Sequence, residues 1–231
     1  MWPMIFQQLF ETITSTYTYI LADEDTHEAV IIDSVLETVP RDLNLLKELE
    51  LELLYTLDTH VHADHITGSG KISHETGAKI AISAEAPVQG AHVLLQDGEV
   101  LKFGKHEIKA LATPGHTNSR MCFHVNGRIF TGDTLMIRTN GRTDFQEGSP
   151  EKLFNSIHKK LYSLPDNVLV YPGHDYKGFT SSTIGAEKKF NARINARQSL
   201  AAFNEIMKNL NLPPPKKMHI VVPANLKCGL A

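Results

Sequence analysis

The spacing of apolar residues along the chain switches repeatedly between the alternation of a strand and the longer period of a helix. Ile5 to Ile20 is rich in Thr, Tyr and Ile, which favour strands, and Ala29 to Asp33 returns as a second strand after the polar turn Asp23-Glu24-Asp25. This predicts a hairpin-led β start, with His27 solvated beside the turn. Pro40 to Glu50 carries Leu43, Leu46 and Leu49 at helical spacing, so a helix with one apolar face follows. The apolar run Leu51 to Leu57 then reads as a buried strand. Beyond it, Ile66 to Gly77 reads as a helix closed by its glycine, Ala78 to Ser83 as a strand, and residues 84–98 as irregular.

From Gly98 the pattern is β again. Glu99 to Phe103 and His106 to Ala112 flank Gly104-Lys105, while Met121 to Val125 and Arg128 to Thr131 flank Asn126-Gly127. Both dipeptides signal two-residue hairpin turns. Alternation predicts Met121, Phe123 and Val125 on one face, Cys122 and His124 on the other, and His106 exposed at its turn. Ser149-Pro150 opens a helix, with Ser as N-cap, Pro at the first helical position and a buried stripe of Leu153, Phe154, Ile157 and Leu161. Val168 to Tyr171 is a further strand. Two helical stretches follow, about 184–195 and 199–210, before Pro213-Pro214-Pro215 breaks the second and an extended tail containing His219 closes the chain. No repeat, linker or low-complexity block appears. Residues 1–231 therefore read as one domain with a short C-terminal helical region and an extended tail.

Chemistry concentrates at the ends of the predicted strands. His60, His62, Asp64 and His65 follow the strand Leu51 to Leu57 as an H-x-H-x-D-H run. Three imidazoles and a carboxylate so close together are costly to bury without a partner, and a metal ion is that partner. A solvated histidine-rich loop is the plainer alternative. Against it, His116, Asp133 and His174 recur at three later strand ends, each beside a glycine that can make the sharp turn aiming a side chain into a shared site. Five of the twelve histidines fall in such loops, so the candidate ligand set is His60, His62, Asp64, His65, His116, Asp133 and His174.

Composition narrows the partners. At 231 residues, with 42% hydrophobic and 21% charged, the chain has the make-up of an ordinary globular protein. A formal charge of −3 gives no basic field for nucleic acid and no polybasic signal for a membrane, and no apolar run approaches the roughly 20 residues of a membrane span. Met1 to Phe10 lack the basic and apolar regions of a secretory signal and the arginines of a transit peptide. Two cysteines, Cys122 and Cys228, make no disulfide framework, so the expected location is the cytoplasm.

T-H-x-H-x-D-H at 59–65, P-G-H-T at 114–117, G-D-T at 132–134 and P-G-H-D at 172–175 resemble the metallo-β-lactamase superfamily, across the whole chain. That resemblance implies an α+β fold, the αββα sandwich, with two β-sheets face to face and helices outside. Asp58 to Gly70, Ile137 to Glu147 with its Gly-Arg-Thr-Asp-Phe-Gln core, and His174 to Thr180 resemble persulfide dioxygenases, the sulfur-oxidising family that includes the ethylmalonic encephalopathy protein. Asn209 to Pro213 and Val222 to Gly229 do so too. Asn140 stands where some relatives have cysteine, and Ala192 where some have proline before an arginine; neither falls in the metal motif.

The resemblance implies an enzyme that oxidises glutathione persulfide with O₂ and water to sulfite and glutathione, using one Fe(II) per chain. Its iron ligands map onto His60, His116 and Asp133, a two-histidine, one-carboxylate set that leaves positions open for substrate and O₂. Zinc, being redox-inert, would not serve. His62, Asp64, His65 and His174 would then stand behind the ligands, or hold a second metal as in hydrolytic relatives. Arg142 and Arg193 match family arginines near the substrate, suited to the carboxylates of glutathione. Tyr176 would place its hydroxyl by the sulfur. Asp144 either joins them or pairs with Arg142 to stiffen the loop. A homodimer and a separate rhodanese or sulfide-oxidising enzyme are the implied partners, since the rhodanese domain fused in some relatives is missing. The alternatives are a glyoxalase-II-like binuclear thioester hydrolase acting on a glutathione conjugate, and a non-catalytic persulfide or metal sensor.

Overall fold

Twelve strands form two six-stranded sheets in the computed structural model, which describes residues 3–215 and 217–230. The first sheet runs in chain order: β1 (Met4–Glu11), β2 (Thr16–Asp23), β3 (Glu28–Ile32), β4 (Glu52–Leu57), β5 (Lys79–Ser83) and β6 (Val93–Leu95). Its first three strands are antiparallel, and β3 to β6 are mutually parallel. Parallel neighbours need a crossover. Helix α1 (Val39–Glu48) supplies it between β3 and β4, and α2 (Ser69–Thr76) between β4 and β5. The second sheet is built from β7 (Val100–Phe103), β8 (His106–Ala112), β9 (Met121–Val125), β10 (Arg128–Gly132), β11 (Leu169–Pro172) and β12 (Ser182–Thr183), again neighbours in chain order.

The sheets share one apolar layer. Tyr19, Leu21, Val30 and Ile32 from the first meet Phe103, Ile108, Phe123 and Phe130 from the second. Their alternate residues face outward: Ile20, Ala22 and Ile31 pack against Val39, Leu46 and Ile72 of the helices. Cys122, Ile129 and Val170 pack on the other side against α3 (Pro150–Asn155), α4 (Ile184–Phe190) and α5 (Leu200–Lys208). Both faces of the central strands are thus buried, and each large aliphatic side chain so buried contributes about 1.5–3 kcal/mol. This is the expected αββα sandwich. Met121, Phe123 and Val125 face the shared layer and Cys122 the helices, as alternation requires.

Several elements differ from the sequence reading. Helix α2 begins at Ser69 rather than Ile66, because residues 58–68 are drawn out to hold the histidine run. The stretch 84–98 contains the short strand β6. Helix α3 starts as expected, with Ser149 Oγ accepting from Lys152 N, but widens into a π-helical turn over Ser156–Leu161. Helix α4 stops at Phe190, where Asn191 turns the chain by accepting from the backbone N–H of Arg193 and Ile194. The C-terminal tail is not extended: Met218–Asn225 form helix α6, with Pro223 inside it. His106 is buried, not exposed, because it shares the inward phase of Ile108 and Ala110; Asn126 Nδ2 donates to its Nδ1 at 2.7 Å.

Candidate metal centre

The ends of β4, β8, β10 and β11 meet at one edge of the sandwich and bring the seven candidate ligands together. Ligand atoms of His60, His116 and Asp133 lie within 4.8 Å of one another. Asp133 follows Gly132, whose φ of 45° and close approach to the Arg120 guanidinium and Thr59 Oγ1 leave no space for a Cβ. That turn swings Asp133 from the strand into the site.

Hydrogen bonds set which ring nitrogen of each histidine faces inward. Thr59 Oγ1 donates to Asp33 Oδ2 at 2.9 Å, so His60 Nδ1–H donates to Thr59 Oγ1 at 3.0 Å and Nε2 is left with a free lone pair. His116 Nδ1–H donates to the Arg142 carbonyl at 2.6 Å, and its Nε2 stands 3.7 Å from Asp133 Oδ2, beyond hydrogen-bond length. Burial, reinforced by the nearby Arg120 charge, holds His60 well below the usual histidine range and His116 down to about 4. Both rings are therefore neutral near pH 7, as metal ligation requires. Burial alone would raise the Asp133 carboxyl, but His174 and Arg120 outweigh it and keep it ionised. Two neutral imidazole nitrogens and a carboxylate oxygen, mutually unbonded and facing one point, fit a divalent iron or zinc ion by donor type.

The other four candidates bond to one another, to Asp33 or to Asp133. His62 donates Nε2–H to Asp33 Oδ1 at 3.2 Å, and its Nδ1 has no hydrogen-bond partner among the described residues. His174 lies between two carboxylates, 2.7 Å from Asp133 Oδ1 through Nδ1 and 3.0 Å from Asp64 Oδ2 through Nε2. Burial would lower its pKa, but those two carboxylates raise it well above the ordinary value. Asp64 Oδ2 also meets His65 Nδ1 at 3.0 Å, and His65 Nε2 has no hydrogen-bond partner among the described residues. Asp64, His65 and His62 also form a second group with donor atoms within 4.8 Å.

A cavity of about 450 Å³ opens onto this centre, lined in part by His60, His116, Asp133, Tyr176, Arg142 and Arg193. Arg142 uses four of its five N–H groups: it forms two bonds to Asp144, at 2.6 and 2.7 Å, and donates to the carbonyls of Pro213 and Leu212. Arg193 donates Nη1–H to the Asn140 carbonyl at 3.0 Å. No carboxylate among the described residues lies in ion-pair contact with it. Tyr176 is exposed at the mouth, its ring parallel to that of His174.

Three side chains that border the site escaped the sequence reading. Asp33 ends β3 as the other candidates end their strands, and that shared position could have found it. Arg120 is 1% exposed behind the ligands, and nothing in the sequence separates it from a surface arginine. Asn225 reaches the histidine run from α6.

The model of the metallo-beta-lactamase superfamily matches residues 12–174. The chain is 46% identical to human persulfide dioxygenase ETHE1, mitochondrial, over 99% of this chain and 90% of that protein. The crystal structure of ETHE1 from Myxococcus xanthus superposes with a TM-score of 0.95 at 48% identity, covering 98% of this chain and 100% of the other. A Schizosaccharomyces pombe protein named probable hydroxyacylglutathione hydrolase is 37% identical over 69% of this chain and 64% of its own length.

Proposed function

Because the chain belongs to the metallo-β-lactamase superfamily and, within it, to the persulfide dioxygenases, we propose that it oxidises glutathione persulfide with O₂ and water to sulfite and glutathione. One Fe(II) per chain is held by His60, His116 and Asp133. The observation that carries this reading is the convergence of His60, His116 and Asp133 on one point that opens into the cavity, while His174 and Asp64 are bonded to each other and His174 also to Asp133. Iron bound there supplies the electron-transfer chemistry between O₂ and a persulfide sulfur.

The side chains do the rest. His174 bonds Asp133 Oδ1 and would leave the other carboxylate oxygen free to hold a metal ion. Arg193 receives a glutathione carboxylate, for which its guanidinium offers free N–H groups in a fixed plane. Tyr176 sets its hydroxyl beside the sulfur. Phe145, Leu212 and Pro213 line the cavity and keep water from the reacting end. Arg142, spent on Asp144, shapes the wall rather than gripping substrate.

Partners and place follow from the same reading. A separate rhodanese or sulfide-oxidising enzyme supplies the persulfide, and the chain works as a homodimer. Both described cysteines are free and buried, which suits the reducing cytoplasm; the mitochondrial label belongs to the human relative's name. Among the described residues no helix is long and apolar enough to cross a membrane.

The rival is a two-metal thioester hydrolase, favoured by the second donor group of His62, Asp64 and His65. Metal content of purified protein separates the two. Wild type should hold about one iron per chain. His174→Ala should keep substantial iron when metal is in excess, while activity falls about 10–100-fold. Two metals in wild type, falling to one in His174→Ala, would refute the mononuclear site.

A further inference from the structure

The Pro-Ala-Asn-Leu-Lys-Cys-Gly segment, residues 223–229, has no part in the chemistry described so far, yet it is packed against the histidine run. Residues 58–68 belong to no helix or strand, so their backbone groups must find partners elsewhere. Asn225, 3% exposed at the end of α6, provides three. Its Oδ1 accepts from Thr67 N at 2.9 Å, and its Nδ2 donates to the carbonyls of His62 at 2.9 Å and His65 at 2.8 Å. These partners fix the amide orientation, since two can only accept and one can only donate.

No other side chain of this size serves all three. Aspartate would set a carboxylate against two carbonyls, and leucine would leave all three groups buried and unpaired. The backbone around Asn225 is docked as closely. Gly70 N donates to the Cys228 carbonyl at 2.9 Å, and Gly229, at φ 73°, lies so near the Thr67 carbonyl that a Cβ would collide.

We propose that Asn225 is a positioning residue for the metal centre. The two carbonyls it holds bracket Asp64, so it fixes where Asp64 and His65 point. Asp64 Oδ2 in turn meets His174 Nε2, and His174 Nδ1 meets Asp133 Oδ1. A path of hydrogen bonds therefore runs from the C-terminal helix to a ligand of the ion. The Cys228 thiol has no redox part in it: it is buried, donates to the Gln89 carbonyl, and burial pushes it up to about 11.

The proposal rests on the mononuclear reading of His60, His116 and Asp133, and its test uses metal binding rather than turnover. Co²⁺ is titrated into the metal-free full-length chain against a competing chelator, and its visible absorption spectrum is recorded. Asn225→Ala and Asn225→Asp should each bind Co²⁺ about tenfold to a hundredfold more weakly than wild type, with an altered ligand-field spectrum. Ile157→Val, a loosened packing site on the far side of the second sheet, should lower the melting temperature and leave both readouts unchanged. Wild-type affinity and spectrum in both Asn225 variants would overturn the proposal, whatever their melting temperatures.

Should the variants fail to fold, hydrogen exchange on wild type decides. The Thr67 amide should be protected with and without metal, and rapid exchange in both states would contradict the clamp. A wild type that binds one metal yet consumes no oxygen with persulfide would sink the dioxygenase reading and leave this comparison intact.

Discussion

Arg193 and Arg142 have the same guanidinium and opposite circumstances. Arg142 spends four of its five N–H groups on Asp144 and two tail carbonyls, whereas Arg193 spends one on the Asn140 carbonyl and faces the cavity. Replacing Arg193 with alanine should therefore raise KM for glutathione persulfide about tenfold or more, the loss expected for a charge-assisted hydrogen bond of roughly 1.5–3 kcal/mol. Iron content should stay at its wild-type level. An unchanged KM in the folded, iron-loaded variant would remove Arg193 from the substrate site. Asp23 plays a structural part far from the metal. Its oxygens accept from the backbone N–H groups of Asp25, Thr26 and Lys105, tying the β2–β3 turn to the β7–β8 hairpin. Burial opposes its ionisation, but those three bonds outweigh it and lower its pKa to about 2 from 3.8. A carboxyl depressed on folding stabilises the protein above its unfolded pKa, and that contribution is lost as pH falls through the folded one. Melting temperature should accordingly drop between about pH 4 and 2 in wild type, and Asp23→Asn should be less stable at pH 7 with a shallower acid limb. Parallel melting curves for the two proteins across that range would show that Asp23 contributes nothing through its charge.

Elements were legible wherever one pattern governed them. The Asn126-Gly127 hairpin forms as the dipeptide demands, with φ of 46° and 70°, and Gly77 closes α2 at φ 79°. The ligand motifs at strand ends were legible too, since polar residues beside glycine interrupt apolar runs. Residue types alone did not divide the seven, and the division into His60, His116 and Asp133 against the rest came only from the family resemblance, because the bonds of His62 to Asp33 and of His174 to Asp64 join parts of the chain far apart in sequence. Helix α6 was illegible for a related reason. Pro223 reads as a breaker, and the helix is held by long-range contacts: Asn225 to the histidine run, and Val222 and Leu226 against Val61 and Ile82. Helix α5 is the opposite case, a local amphipathic element whose Phe203 is fully buried against Phe154 and Leu153. Phe203→Ala should cost about 3–5 kcal/mol in urea unfolding while leaving metal content unchanged. A loss below about 1 kcal/mol would mean that the helix layer repacks freely.

At the scale of the whole molecule, the metal centre exists only where the two sheets meet. His60 follows β4 of the first sheet, whereas His116 and Asp133 follow β8 and β10 of the second. Bonds between the sheets hold this edge together: Tyr17 N donates to the Gly173 carbonyl at 2.8 Å and Tyr19 Oη to the Pro172 carbonyl at 2.6 Å. Thr16 Oγ1 lies 3.1 Å from His174 Nε2 across the same junction. The scaffold is shared with hydrolases, so the fold does not choose between hydrolysis and oxidation; the number of metals and what they do to a glutathione sulfur must. The most direct measurement is oxygen consumption by the iron-loaded chain supplied with glutathione persulfide, with sulfite assayed in the same vessel. The account predicts one O₂ consumed and one sulfite released for each persulfide. No oxygen uptake on persulfide, together with anaerobic hydrolysis of S-lactoylglutathione, would contradict it.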